Sequence, residues 1–158
     1  MEKIAIFGAG GFGREVKMLI DQINMQKPIF EFIGYFDDGI QKGVSINNHP
    51  VLGGLLEAQN WSDGKLNLVV AVAEPKTKKK IVDSIENEHI AFPSLIHPGV
   101  LIGADEVNIG FGCIICAGTI ITVNIDIGNY VILNLSCTVG HDTKIGDYCS
   151  FMPSVNIS

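Results

Sequence analysis

From Ile109 onward one apolar side chain returns at every sixth residue: Ile109, Ile115, Ile121, Ile127, Leu133, Val139, Ile145, Phe151 and Ile157. Nine matches in a single register make a repeat, and few chain geometries satisfy it. A helix has a period near 3.6 and a plain strand a period of two, so neither keeps these residues on one face. Short strands joined by tight corners do, which is the pattern of a parallel β-helix with six residues per side. Four residues after each member stands Cys113, Thr119, Ile125, Val131, Cys137, Thr143, Cys149 or Val155, all small or β-branched and suited to a narrow interior. Glycine directly follows four members, at Gly110, Gly128, Gly140 and Gly146.

A longer period sits on the shorter one. The segments beginning Ile109-Gly110, Ile127-Gly128 and Ile145-Gly146 are spaced by eighteen residues, as three sides of a triangular coil require. Stacked coils then put Ile109, Ile127 and Ile145 in one interior column at about 4.8 Å per layer. Upstream, Ile96 and Ile102 keep the spacing, but seven residues separate Ile102 from Ile109, so one residue bulges out at a corner. All four cysteines (113, 116, 137 and 149) lie in this half, three of them at the small inward position, where a free buried thiol substitutes for Val or Thr. Cys113 and Cys116 have redox or zinc-pair spacing, but no helix N-terminus or second ligand pair accompanies them.

The first half reads differently. The apolar run Lys3 to Phe7 ends in a turn from Gly8 to Gly13, and apolar residues at helical spacing follow to Gln22. Strand, glycine turn and helix together suit a phosphate, because the backbone approaches closely and the helix offers free N–H donors. A second strand, Ile29 to Phe36, ends at Asp37-Asp38, where a carboxylate holds a ribose or base; Asp38-Gly39 reads equally as a turn. Gln41 to Pro50 is expected as an irregular loop with His49 facing solvent, and a short helix is expected near Leu55 to Asn60. Leu66 to Ala73 predicts a buried strand, Lys76 to Glu88 a helix with Lys76, Lys78, Lys79 and Lys80 on a solvated face, and His89 to Phe92 a last short strand. Four or five strands in about 90 residues make half of a dinucleotide fold, so one nucleotide is expected.

Eleven Lys and Arg against seventeen Asp and Glu give a net charge of −6, which excludes a polyanionic partner such as nucleic acid. No apolar run approaches the roughly 20 residues that span a bilayer, and Met1 to Ile4 does not open a signal peptide, so a cytoplasmic protein is expected. Of the histidines, His97 precedes Pro98 at a corner and reads as structural. His141 stands at a corner beside Asp142, so its imidazole projects outward next to a carboxylate that can orient it. An ordinary surface histidine has the same pattern.

Four motifs, taken together, carry a resemblance: Gly8-Ala-Gly-Gly-Phe-Gly-Arg-Glu15, Gly34-Tyr-Phe-Asp-Asp38, Ser94-Leu-Ile-His-Pro98, and Asn134 through Gly140-His-Asp142 to Ile145-Gly-Asp147. In that order, over essentially the whole chain, they resemble the hexapeptide-repeat sugar acetyltransferases, namely the sialic acid O-acetyltransferase family and the related nucleotide-linked amino-sugar N-acetyltransferases. The resemblance implies an α/β Rossmann-like half domain over residues 1–92 that binds a nucleotide-sugar. It also implies an all-β, left-handed parallel β-helix acyltransferase domain over residues 93–158, a homotrimer, acetyl-CoA as donor and no metal. It assigns His141 as general base with Asp142 assisting, Asn134 to the sugar, Gly10, Gly11 and Phe12 to the nucleotide turn, Asp37 and Asp38 to base and ribose, and Ser150 to the coenzyme. The chain departs from the family pattern at four places: Phe12 where His is frequent, Ala73 where Gly is common, Gly140 where an acid is frequent, and Ser150 where some relatives carry a second His.

The expected reaction is acetyl transfer from acetyl-CoA to an amine or hydroxyl of a sugar. The alternatives are a non-catalytic sugar-nucleotide binding or scaffold protein, and a metal-dependent hydratase of carbonic anhydrase type, which needs about three converging histidines. Because Ile157-Ser158 barely opens the third side of a coil, the β-helix domain is expected to be truncated at its C-terminus.

Overall fold

In the computed structural model, which describes residues 1–158, the chain divides into two units, Met1–Pro93 and Ser94–Ser158. The first begins with β1 (Glu2–Phe7), α1 (Gly11–Gln26) and β2 (Phe30–Phe36). After these come β3 (Ser45–Ile46), β4 (His49–Gly53), α2 (Leu55–Gln59), β5 (Leu66–Val70), α3 (Pro75–Ser84) and β6 (Ile90–Ala91). The strands form one sheet in the order β3-β4-β2-β1-β5-β6, parallel except for β3 against β4. Strands β1 and β5 are covered on both faces: Ile4, Ala5, Ile6, Leu68 and Val69 are buried, which is why these stretches are continuous apolar runs instead of alternating ones.

Two expectations for this unit are corrected. Residues 45–53 are a hairpin continued into the sheet, with His49 packed edge-on against Phe32 at 4.9 Å between ring centres. Its two-residue turn, Asn47-Asn48, has φ of 47° and 67°, the left-handed pair that asparagine tolerates in a type I′ turn. Lys78 does not join the solvated lysines; it is 1% exposed, whereas Lys76, Lys79 and Lys80 are exposed. Helical spacing explains this, because Lys78 lies three residues before Ile81 and seven before Ile85, core residues in α3 and at its C-terminal cap.

The start of α3 is set by Glu74, whose carboxylate accepts from the backbone N–H groups of Lys76 and Thr77 at 3.1 and 2.6 Å, with Pro75 in the first turn. Hydrogen bonding from Thr77, then Lys76, holds the Glu74 carboxyl below its usual range. A depressed carboxylate stabilises the fold above its unfolded pKa and loses that contribution as pH falls through the folded value. Glu74→Gln is therefore expected to lower the melting temperature at neutral pH and to leave it near that of the unsubstituted chain in strong acid, as followed by circular dichroism.

The second unit is a triangular β-helix of short strands stacked in three parallel sheets. Ile114 pairs with Ile132, Ile120 with Thr138, and Ile127 with Ile145, each eighteen residues on. Leu95 and Leu101 instead pair nineteen residues on, with Ile114 and Ile120, while Val107 pairs with Ile125, so the extra residue lies between Ile102 and Val107. The inward column closes into one core of Cys113, Ile115, Ile121, Ile125, Ile127, Val131, Leu133, Cys137, Val139 and Ile145. The cysteines are all free thiols.

From Glu106 onward each corner is made by one left-handed residue, and these too recur every six: Glu106, Gly112, Gly118, Asn124, Tyr130, Ser136, Asp142, Tyr148 and Ser154, with φ between 52° and 78°. Only two are glycine. Tyr130 and Tyr148 occupy this unfavourable region, and their rings stack 5.2 Å apart, which offsets part of the backbone cost. No helix of the chain is long and apolar enough to cross a membrane.

Candidate active site

The candidate residues fall into a group on each unit. In the first unit the glycine turn links β1 to α1, and its glycines divide by what they touch. A Cβ on Gly13 would land inside the Gly8 carbonyl, and Gly8 itself has φ 106° with the Ala71 carbonyl 2.8 Å from where its Cβ would be. Those two are demanded by packing. Gly10 meets nothing within 4 Å and Gly11 only the Arg14 guanidinium at 3.9 Å, so their bareness leaves open space against the backbone.

That space lies at a helix start with no side-chain cap. Gly10 is the N-cap of α1 and no side chain accepts from its first turn, whereas Glu74 caps α3 and two acids serve α2. Asp38 Oδ1 accepts from Leu55 N at 2.7 Å, and Glu57 Oε2 from Gly54 N at 2.7 Å. Of the three helices, α1 alone has no side chain accepting from its N-terminal N–H groups, an arrangement suited to an anion.

Asp37 is tied to the turn. Its Oδ2 accepts from Ala9 N and its Oδ1 from Gly39 N, both at 2.8 Å. The strand-end acids therefore differ: Asp37 braces the glycine turn, and Asp38 has one oxygen committed to α2. A concavity of about 590 Å³ in this unit is lined by residues such as Lys3, Asp63, Asn67 and His89 at the other end of β1 and β5, away from the turn.

In the second unit, His141 and Asp142 form the corner after the strand Thr138–Val139. The imidazole is 78% exposed, with Nδ1 2.7 Å from Asp142 Oδ2. Asn124 Nδ2 donates to the other oxygen at 3.3 Å. These two partners, His141 first, hold the Asp142 carboxyl below its usual range. An ionised carboxylate only accepts, so the proton of this hydrogen bond sits on Nδ1, and in the neutral imidazole the lone pair is then on Nε2. A neutral imidazole paired in this way has the arrangement that general-base chemistry requires.

Asn134 stands at the preceding corner, buried, its Oδ1 accepting from Leu135 N at 2.7 Å. It makes no hydrogen bond to His141. Ser150 lies half-buried on the strand Ser150–Phe151, in a different sheet from the strand that precedes His141. His97 is a corner residue whose Nδ1 accepts from Gly99 N at 2.9 Å, and no three His, Cys, Asp or Glu side chains gather as a metal site. Asn124 was not singled out in the sequence; its place eighteen residues before Asp142 was the available signal.

The family model of the PglD N-terminal domain matches residues 3–85. The GDP-perosamine N-acetyltransferase of Escherichia coli O157:H7 is 31% identical over 155 residues, 97% of this chain and 68% of that one. Among solved structures, WeeI from Acinetobacter baumannii AYE matches with a TM-score of 0.86 at 31% identity, covering 99% of this chain and 72% of WeeI. The acetyltransferase domain of PglB from Neisseria gonorrhoeae FA1090 matches at 0.84 and 26% identity, over all of this chain and 74% of that domain. The same domain has been solved with acetyl coenzyme A. The chain belongs to this family of nucleotide-sugar acetyltransferases with a PglD-type N-terminal domain.

Proposed function

We propose that the chain moves the acetyl group of acetyl-CoA onto the amine of a nucleotide-linked sugar by direct transfer, with His141 as general base. The observation that carries this is the exposed imidazole with Nδ1 held 2.7 Å from Asp142, which leaves Nε2 free to take a proton. The amine attacks the thioester carbonyl, a C–N bond forms as His141 accepts the amine proton, and backbone N–H groups stabilise the oxyanion. Collapse breaks the C–S bond, and the proton passes from His141 to the coenzyme A thiolate. An amine is preferred to a hydroxyl because the 31%-identical relative is an N-acetyltransferase.

In this reading the bare turn at Gly10, Gly11 and Phe12 takes the nucleotide phosphates. Asp37 and the free oxygen of Asp38 face ribose and base, Asn134 contacts the sugar and Ser150 the coenzyme. The enzyme works as a homotrimer in the cytoplasm.

Thiol release from acetyl-CoA with a panel of GDP-perosamine, UDP-linked amino sugars and free sialic acid tests the reading. Release with an amino-sugar nucleotide is expected. Release with free sialic acid alone would make it a hydroxyl acetyltransferase, and tight nucleotide-sugar binding without any release would make it a binding protein.

Asp37→Ala is expected to weaken nucleotide-sugar binding by about tenfold or more, ~1.4 kcal/mol, because it removes the acceptor that braces Ala9 as well as a ligand contact. Acetyl-CoA affinity should not change. Calorimetry with each ligand separately checks this, and equal losses would contradict the assignment of the two ligands to different residues.

A further inference from the structure

We propose that Asn124 is a positioning residue for His141, acting through the Asp142 carboxylate. The inference rests on the reading of His141 as the base. Asn124 and Asp142 are equivalent corner residues of successive coils, both left-handed, with φ of 55° and 58°. The Asp142 backbone N–H donates to the Val123 carbonyl at 3.2 Å, which clamps one corner on the other. On that base the side chains form a chain of two bonds, Asn124 Nδ2 to Asp142 Oδ1 at 3.3 Å and Asp142 Oδ2 to His141 Nδ1 at 2.7 Å.

The need for such a brace follows from exposure. The Asp142 side chain is 67% exposed, and rotation about its terminal sp³–sp² torsion meets only a broad, shallow barrier. One bond to a mobile imidazole does not hold both groups. A second bond, to the opposite oxygen from a residue anchored one coil earlier, fixes the carboxylate plane, and the plane fixes which ring nitrogen carries the proton. The corner residues make three columns: Glu106-Asn124-Asp142, Gly112-Tyr130-Tyr148 and Gly118-Ser136-Ser154. Of these, the first links amide to carboxylate to imidazole.

The fold also contains its own control. Asn108 Nδ2 donates to Asp126 Oδ1 at 2.9 Å, an amide–carboxylate rung across the same eighteen-residue step, and no histidine adjoins it. If rungs of this kind only stabilise the stack, Asn108 and Asn124 are interchangeable in effect. If Asn124 positions the base, only its loss reaches His141.

The experiment compares the unsubstituted chain, Asn124→Gly and Asn108→Ala by NMR, reading the ¹⁵N tautomer of His141 and the ¹³C titration of the Asp142 carboxyl. Glycine is used at position 124 because it accepts the left-handed corner without strain. Asn124→Gly is expected to lose the predominance of the Nδ1–H tautomer and to raise the Asp142 titration midpoint, while Asn108→Ala changes neither. Turnover of acetyl-CoA with GDP-perosamine should fall about fivefold in kcat for Asn124→Gly, with KM unchanged, the scale of one hydrogen bond to a charged group at an exposed site. An unchanged tautomer and titration in Asn124→Gly, with His141→Ala inactive, overturns the role of Asn124 alone. An active His141→Ala overturns the base assignment and this inference with it.

Discussion

His141→Ala is expected to lower acetyl transfer by about 10² to 10⁴-fold while the chain keeps its fold and melting temperature. The separation is expected because the imidazole is exposed and its one hydrogen bond is to Asp142, so nothing in the β-helix core depends on it. The core at that level is Val139 and Ile145, on either side of the corner. Coenzyme binding should survive, since the side chain is assigned to proton transfer and not to donor contact. Turnover by thiol release, set beside the far-ultraviolet circular dichroism melt, checks both halves. Retention of more than half the activity would remove His141 from the mechanism.

The second large effect separates glycines that look alike in the sequence. Gly13→Ala is expected to destabilise the first unit by about 3 kcal/mol, at the upper end for an overpacked site. The added methyl meets the Gly8 carbonyl, which cannot swing aside as a side chain could, with Ile6 behind it. Gly10→Ala meets nothing and has an ordinary φ of −74°, so it should fold as well as the parent. Its methyl would instead occupy the space assigned to the phosphates, and nucleotide-sugar affinity should fall about tenfold or more. Chemical denaturation and calorimetry on the two variants provide the comparison. A stable Gly13→Ala, or a Gly10→Ala that binds normally, would contradict this division of the turn.

The repeat was the most legible part of the fold, because a narrow interior tolerates only apolar or small residues at fixed intervals and so writes its period into the chain. The corner position three residues after each member was harder to see. It requires positive φ, but only Gly112 and Gly118 announce that; Glu106, Tyr130 and Ser136 adopt it as well. In the first unit the strands and helices followed from apolar runs and spacing, while two polar features misled. Composition groups Lys78 with its charged neighbours, but its helical phase with Ile81 and Ile85 places it on the core side. The polar stretch around His49 reads as a loop, but Asn47-Asn48 makes the left-handed turn of a hairpin.

At the site, the pairing of His141 with Asp142 was readable because adjacent corner residues have few other places to go. The contribution of Asn124 was not, since contacts across coils become visible only when the eighteen-residue step is applied to polar residues as well as to the core. Asp37 and Asp38 looked equivalent as strand-end acids, and only the folded chain separates the one that braces the glycine turn from the one that serves α2.

The most direct measurement of the central claim is a single-turnover experiment with the acetyl group of acetyl-CoA radiolabelled, the enzyme in excess and GDP-perosamine as acceptor, quenched over time. Direct transfer with His141 as base predicts that label appears on the sugar amine in step with free thiol, that none is found on the protein at any time, and that His141→Ala leaves the label on coenzyme A. Label accumulating on the protein before it reaches the sugar, or transfer at the parent rate in His141→Ala, would contradict the account.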